Sequence, residues 1–134
     1  MRTDKLTIKA QEALADARDL AQKKGQSELQ PEHLLLALLA QEGGLVGRLF
    51  ERLGVDPDAV AGDMEGLLNK QPKISGGHEV GVSRRLREVW EAAEKLATTF
   101  KDDVVSSEHM WLALIDERGP VGEALRMRGA TRDS

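Results

Sequence analysis

With 134 residues, the chain can bury one sizeable hydrophobic core. Its net charge of −4, with 31% charged residues of mixed sign, argues against a nucleic-acid partner, which needs a basic face. It has no cysteine, so disulfides, thiolate nucleophiles and cysteine-based metal sites are excluded, and a reducing compartment fits.

The polar start, MRTDKLTIKAQEAL, lacks the apolar core of a secretion signal or membrane anchor, which points to a cytoplasmic protein without a membrane partner. Richness in leucine and alanine predicts an all-α fold. A first helix is expected over 7–24, capped by Thr7. Ala10, Ala13, Leu14, Ala17, Leu20 and Ala21 form one apolar face, and Gly25 suits a left-handed C-terminal cap. A connector over 26–30 leads to a second helix over 31–41. Pro31 fits its first position, and Glu32 lies at the positive end of its dipole. Leu34, Leu35, Leu36, Leu38 and Leu39 cover nearly its whole circumference, so burial on all sides is expected. It is too short to span a bilayer, which takes about 20 residues. Gly43 and Gly44 stop it. A third helix over 45–53 presents Val46, Leu49, Phe50 and Leu53. A fourth starts at Asp56 and Pro57, with Val60, Met64, Leu67 and Leu68 facing inward.

Residues 71–82, QPKISGGHEVGV, read as a linker. The pattern then returns 76 positions on, as a duplicated unit: repeat one over 1–70, repeat two over 83–134. Glu32 and His33 match Glu108 and His109, Thr7 matches Ser83, and Gln30 matches Ser106, a better N-cap. A fifth helix over 83–99 carries Leu86, Val89, Trp90, Ala93, Leu96 and Ala97, followed by a second central helix in SSEHMWLALI. One residue is then lost, so Val46, Gly47 and Gly54 match Val121, Gly122 and Gly129 along a seventh helix over 120–128. An eighth helix would begin near Thr131, and its absence points to a piece of a longer protein. Each half is too small to cover its own central helix, so a single domain over 1–134 is expected.

The Glu-His pairs lack HExxH spacing, so Glu32 and Glu108 are expected to cap helix starts and tie them to neighbouring backbone rather than to bind a metal. No nucleophile elbow or phosphate loop is present, and GGLVGR at 43–48 reads as a turn. RRLR at 84–87 is followed by Glu88, Glu91 and Glu94, and reads as a solvated helix face. Trp90 and Trp111 replace Leu14 and Leu35, so one ring is a candidate for a partly exposed apolar groove between the halves.

The set MRTDKLT, QEAL, PEHLL, QEGG, QPKISG and KDDVVSSEH, in this order, resembles the N-terminal domain of the Clp ATPases, the Clp repeat domain. The ClpB branch of ring-forming AAA+ disaggregases is the nearest; the GTEH-type motif of the ClpC branch is missing. The resemblance implies a pseudo-twofold bundle of eight helices, here with the eighth largely missing. It implies a chaperone role in protein disaggregation and the stress response, by engaging unfolded or aggregated polypeptide. By the same resemblance Thr7, Asp102 and Glu108 would be the substrate-engaging residues. The parent protein would be a hexameric ring working with a DnaK-type chaperone. ATP and magnesium would belong to its other domains, leaving this one without cofactor or catalysis. Adaptor docking, as in the ClpA and ClpC branches, is the alternative role.

Overall fold

Every helix start but one matches a residue that relieves its free N–H groups. The computed structural model describes residues 3–74 and 79–132; the linker's tip at 75–78, which includes His78, lies outside the described residues. After a 3-10 turn at Thr3–Lys5 come α1 (Ile8–Lys23), β1 (Glu28–Leu29), α2 (Pro31–Ala40), α3 (Val46–Arg52) and α4 (Pro57–Asn69). The second half holds β2 (Gly81–Val82), α5 (Arg84–Thr99), α6 (Ser107–Ile115) and α7 (Pro120–Met127). Thr7 Oγ1 accepts from the Ala10 N–H at 3.2 Å, and Ser83 Oγ accepts from the Leu86 N–H at 3.0 Å. Asp56 Oδ1 takes the Asp58 N–H at 3.0 Å, while Pro57 and Pro120 need no partner. Only α3 starts without such a cap, at Leu45.

The alanine face of α1 is fully buried, and its small side chains let α1 lie close on α2, as α5 does on α6. The central helices α2 and α6 meet inside one hydrophobic core to which both halves contribute. Leu34, Leu35, Leu38, Leu114 and Ile115 are wholly enclosed. Burial of α2 is not complete around its circumference, however. Leu36 and Leu39 are half-buried, and Leu36 lines a depression between α1 and α4 with Asp16, Leu20 and Glu65.

The fold is mostly helical, as expected, but it contains a small sheet that composition did not announce. β1 and β2 pair in parallel, Glu28 with Gly81 and Leu29 with Val82. Leu6 and Val105 form a second parallel bridge. The two pairings are equivalent under the 76-residue offset: Leu6 corresponds to Val82, and Leu29 to Val105. Residues read as linker therefore end in a strand. After α7 the described chain turns at Gly129 and reaches Arg132 with no eighth helix among the described residues. The counterpart of α4 is thus missing there, and Arg128 instead reaches across to Asp63 on α4.

Because one core joins both halves, Leu38→Ala and Leu114→Ala should each cost about 2–5 kcal/mol, and the half-buried Leu36→Ala should cost less. Both tryptophans lie in the second half. Leu38→Ala, in the first, should nevertheless lower the denaturation midpoint seen by tryptophan fluorescence and by circular dichroism alike.

Candidate functional site

The crossed strand pairings set two quasi-equivalent corners, each made by helix starts from different halves. In one, the start of α5 faces the start of α2. In the other, the start of α1 faces the start of α6.

In the first corner an ion-pair network covers Glu32, and only a smaller cavity of about 220 Å³, lined by Arg85, Val89, Ala113, Glu117 and Gly119 among others, remains beside it. Arg85, second residue of α5, turns inward rather than forming a solvated face with Arg84 and Arg87. Its Nη1 lies 3.2 Å from Glu32, whose side chain is 1% exposed. Its Nε donates to Glu117 Oε2 at 2.8 Å. Burial works against the guanidinium's charge, but the Glu117 hydrogen bond and the charges of Glu32 and Glu117 outweigh it and hold Arg85 above its ordinary range. Glu117 also takes the N–H groups of Val121 and Gly122 at 3.0 and 3.2 Å, capping α7. A side chain at Gly122 would put its Cβ 1.8 Å from the Glu117 carbonyl oxygen, so this cap requires glycine.

The second corner is open. Lys9, Gln41 and Glu108 stand where Arg85, Glu117 and Glu32 stand in the first. Lys9 Nζ turns away to the Glu42 carbonyl at 3.3 Å, and Gln41 Nε2 donates to the Lys9 carbonyl at 2.8 Å. Glu108 is exposed and makes no hydrogen bond or ion pair among the described residues. The cavity left, of about 490 Å³, is lined by Thr7, Ile8, Gly44, Leu45, Ser107 and Glu108 among others. Ile8 is 75% exposed and Leu45 38%, giving the groove an apolar wall.

The histidines do different work from the glutamates beside them. His33 and His109 occupy the third position of α2 and α6, and each Nδ1 accepts the N–H of its N-cap residue, Gln30 or Ser106, at 2.9 Å. They take the place of the Glu or Gln of a capping box. With Nδ1 accepting, the ring proton sits on Nε2. That N–H reaches Gln26 at 2.6 Å from His33, and Asp102 at 2.8 Å from His109. Gln26 and Asp102 are themselves 76 residues apart. Asp102 lines a separate depression with Lys5, Glu94 and Val104.

Thr7 and Glu108 therefore share the open groove, and Asp102 does not. The glutamates expected to cap helix starts make no cap: Glu32 pairs with Arg85, and Glu108 stays unpaired. Nor do the tryptophans form the groove. Trp90 and Trp111 are buried, the latter edge-on to Phe50 with ring centres 5.7 Å apart. Among the described residues no group of three acidic, histidine or cysteine side chains could hold a metal, and no helix is long and apolar enough to cross a membrane.

Comparison with known proteins places the fold. The sequence profile of the Clp repeat (R) N-terminal domain matches residues 5–128. The chaperone protein ClpB of Clostridium perfringens is 37% identical over 139 residues, covering 99% of this chain and 16% of that protein. ClpB of Nitratidesulfovibrio vulgaris is 42% identical over 117 residues, covering 84% of this chain and 14% of that protein. The chain thus spans less than a fifth of the length of these relatives. The N-terminal domain of the ClpV1 ATPase from E. coli superposes with a TM-score of 0.83 at 25% identity, over 97% of this chain and 80% of that one.

Two outcomes test the site. Arg85→Ala strands a buried Glu32 carboxylate and should cost about 3 kcal/mol, whereas Lys9→Ala at the equivalent place should cost under ~0.5 kcal/mol; urea titrations compare them. Burial, then the charge of Lys24, outweighs Glu65 and lowers His33 from its ordinary 6.5 to about 4. Its neutral form therefore stabilises the fold fully above about pH 6.5, and that contribution, on the order of 3 kcal/mol, is lost as pH falls through about 4. His33→Gln keeps a capping-box side chain that does not titrate there. Its melting temperature should fall less steeply than that of the native chain between pH 6.5 and 4.

Proposed function

The chain belongs to the Clp repeat N-terminal domain family, and from that premise we propose that it engages unfolded or aggregated polypeptide on behalf of a ClpB-type AAA+ disaggregase. The groove bounded by Thr7, Ile8, Leu45 and Glu108 is the contact surface. The observation that carries this reading is the pair of exposed apolar side chains, Ile8 and Leu45, flanking an open cavity where the quasi-equivalent corner holds the Arg85 ion-pair network. Unfolded chains expose apolar residues, and an apolar concavity is the complementary surface.

Of the three residues that the resemblance implicates, Thr7 and Glu108 line the groove directly. Asp102 acts from behind, holding His109 and so the start of α6. The domain itself is without catalysis or cofactor. ATP and magnesium serve other domains of a hexameric ring in the cytoplasm, which works with a DnaK-type chaperone. Weak binding suits such a ring, because several linked sites gain avidity through effective concentration, while each alone releases its segment readily.

The test is an NMR titration of the labelled chain with a reduced, carboxymethylated protein that does not refold. Shifts localised to Thr7, Ile8, Leu45 and Glu108, persisting at high salt because apolar contacts are not screened, are expected. The buried indole N–H signals of Trp90 and Trp111 should stay in place. Ile8→Ser should weaken the binding. Absence of shifts at millimolar ligand, or shifts confined to another face, overturns the assignment.

A further inference from the structure

We propose a second interaction surface, separate from the groove: the depression between α1 and α4 is a docking site for a basic amphipathic helix of a partner protein.

The floor of this depression is apolar and its rim is acidic. Leu20 of α1 and Leu36, Ala37 and Ala40 of α2 make the floor. Leu20 and Leu36 are half-buried and Ala40 is exposed, so the floor meets solvent. Asp16 and Asp19 stand on the α1 side, and Glu65 faces them from α4. Lys24 holds Glu65 at 3.0 Å. The carboxylates of Asp16 and Asp19 are exposed and make no hydrogen bond or ion pair among the described residues. Lys23 lies one turn beyond Asp19, so negative charge gathers at the Asp16 end.

Comparison of the repeats separates the rim from the floor. The floor recurs in the second half as Leu96, Leu112 and Ala113, but Asp16 and Asp19 are replaced there by Ala92 and Lys95. The second half also lacks a counterpart of α4 among the described residues. Unpaired acidic side chains are therefore confined to the one place where the floor has a second wall. Two carboxylates three residues apart on a helix repel one another, and an incoming cation relieves that repulsion. Charge complementarity thus selects a basic partner and disfavours an acidic one.

The shape selects a helix. Asp16 to Lys23 covers two turns of α1, about 10 Å, and α4 runs along the other side. Ala37 and Ala40 are small enough to let another backbone approach, as the alanines of α1 do on α2. A docked helix would lay two apolar side chains one turn apart against Leu20 and Leu36. Lysine or arginine on its flank would reach Asp16 and Asp19 while their stems cover the edge of the floor.

The experiment uses two synthetic amphipathic peptides, lactam-bridged to hold them helical and identical in their apolar stripe. One carries lysines on its flanks and the other glutamines. Each is titrated into the isotope-labelled 134-residue chain and followed by NMR. Methyl signals of Leu20, Leu36, Ala37 and Ala40 should shift. The lysine peptide should bind about three- to tenfold more tightly at low salt, as for two exposed ion pairs, and the difference should fade as salt rises. Replacing Asp16→Asn and Asp19→Asn together should remove the difference while leaving the melting temperature nearly unchanged. Ala40→Arg, which sets a cation on the floor, should block both peptides, whereas Ile8→Ser in the groove should affect neither. Equal affinity for the two peptides, or no binding of either at millimolar concentration, overturns the proposal. Shifts at Thr7, Ile8 and Leu45 instead overturn it by seating the helix in the groove. Shifts of the floor signals on concentrating the chain alone overturn it in favour of a second copy. None of these failures touches the groove reading, which the unfolded-protein titration tests separately.

Discussion

Two very short parallel pairings decide how the rest of the molecule is arranged. Leu6 runs beside Val105, and Leu29 beside Val82. Each pairing joins the segment before one repeat's first helix to the segment before the other repeat's central helix. The Thr7 N–H donates to the Val105 carbonyl at 3.0 Å, and the equivalent Ser83 N–H to the Leu29 carbonyl at 3.1 Å. These bonds continue straight into the caps of α1 and α5. Helix starts from opposite halves are thereby fixed side by side, and neither half retains a complete set of backbone partners alone. The long-range ladder and the shared core act on the same pair of central helices.

Once helix starts are paired in this way, duplication yields two corners from one set of positions, and a few side chains decide the difference between them. Arg85, Glu32 and Glu117 make the first corner an internal ion-pair network. That network is anchored further because Glu117 caps α7. A carboxylate as buried as that of Glu32 is costly without a cation beside it, so Arg85 is committed to structure. Lys9, Glu108 and Gln41 are softer choices. A lysine finds a backbone carbonyl nearby, a glutamine spans the turn, and the glutamate is left in solvent at the dipole's positive end. The loss of one residue after the second central helix adds to this divergence. In the second half the N–H groups of Val121 and Gly122 lie on Glu117, while the first half has the Gly43–Gly44 turn beside the open cavity.

Much of this was readable in the sequence. Helix existence, order and caps followed from Thr7, Pro31, Asp56, Ser83 and Ser106, whose chemistry at helix starts is local. The repeat was legible because identical residues recur at a constant spacing. The strands were not, since two-residue pairings carry no period-2 signal and the paired partners are far apart in the chain. The histidine boxes escaped because the usual template carries Glu or Gln at the third position. Arg85 was misread for a related reason: in RRLR three arginines look alike, and only the fold selects the one that faces a buried carboxylate. The groove was expected beside a tryptophan, but larger side chains at Trp90 and Trp111 were absorbed by the core. The exposed apolar residues that line the groove are Ile8 and Leu45, which lie outside the apolar faces read from the helical pattern.

Thr7 is distant in sequence from Asp102 and Glu108, yet one physical chain connects the three. Thr7 binds the Val105 carbonyl through its own N–H and caps α1 with its hydroxyl, which fixes the groove's first wall. Asp102 holds the Nε2 proton of His109, so Nδ1 is left to accept the Ser106 N–H and close the start of α6. Ser107 and Glu108 are the next residues on that closed turn, and they face the cavity. Loosening Asp102 would therefore act on the groove through α6 rather than through solvent. Gln26 holds His33 in the same manner beneath Glu32, where the outcome is a glutamate covered by Arg85. The clamp is common to both repeats, and what distinguishes the open corner is only what the clamped turn presents and the absence of an arginine to meet it.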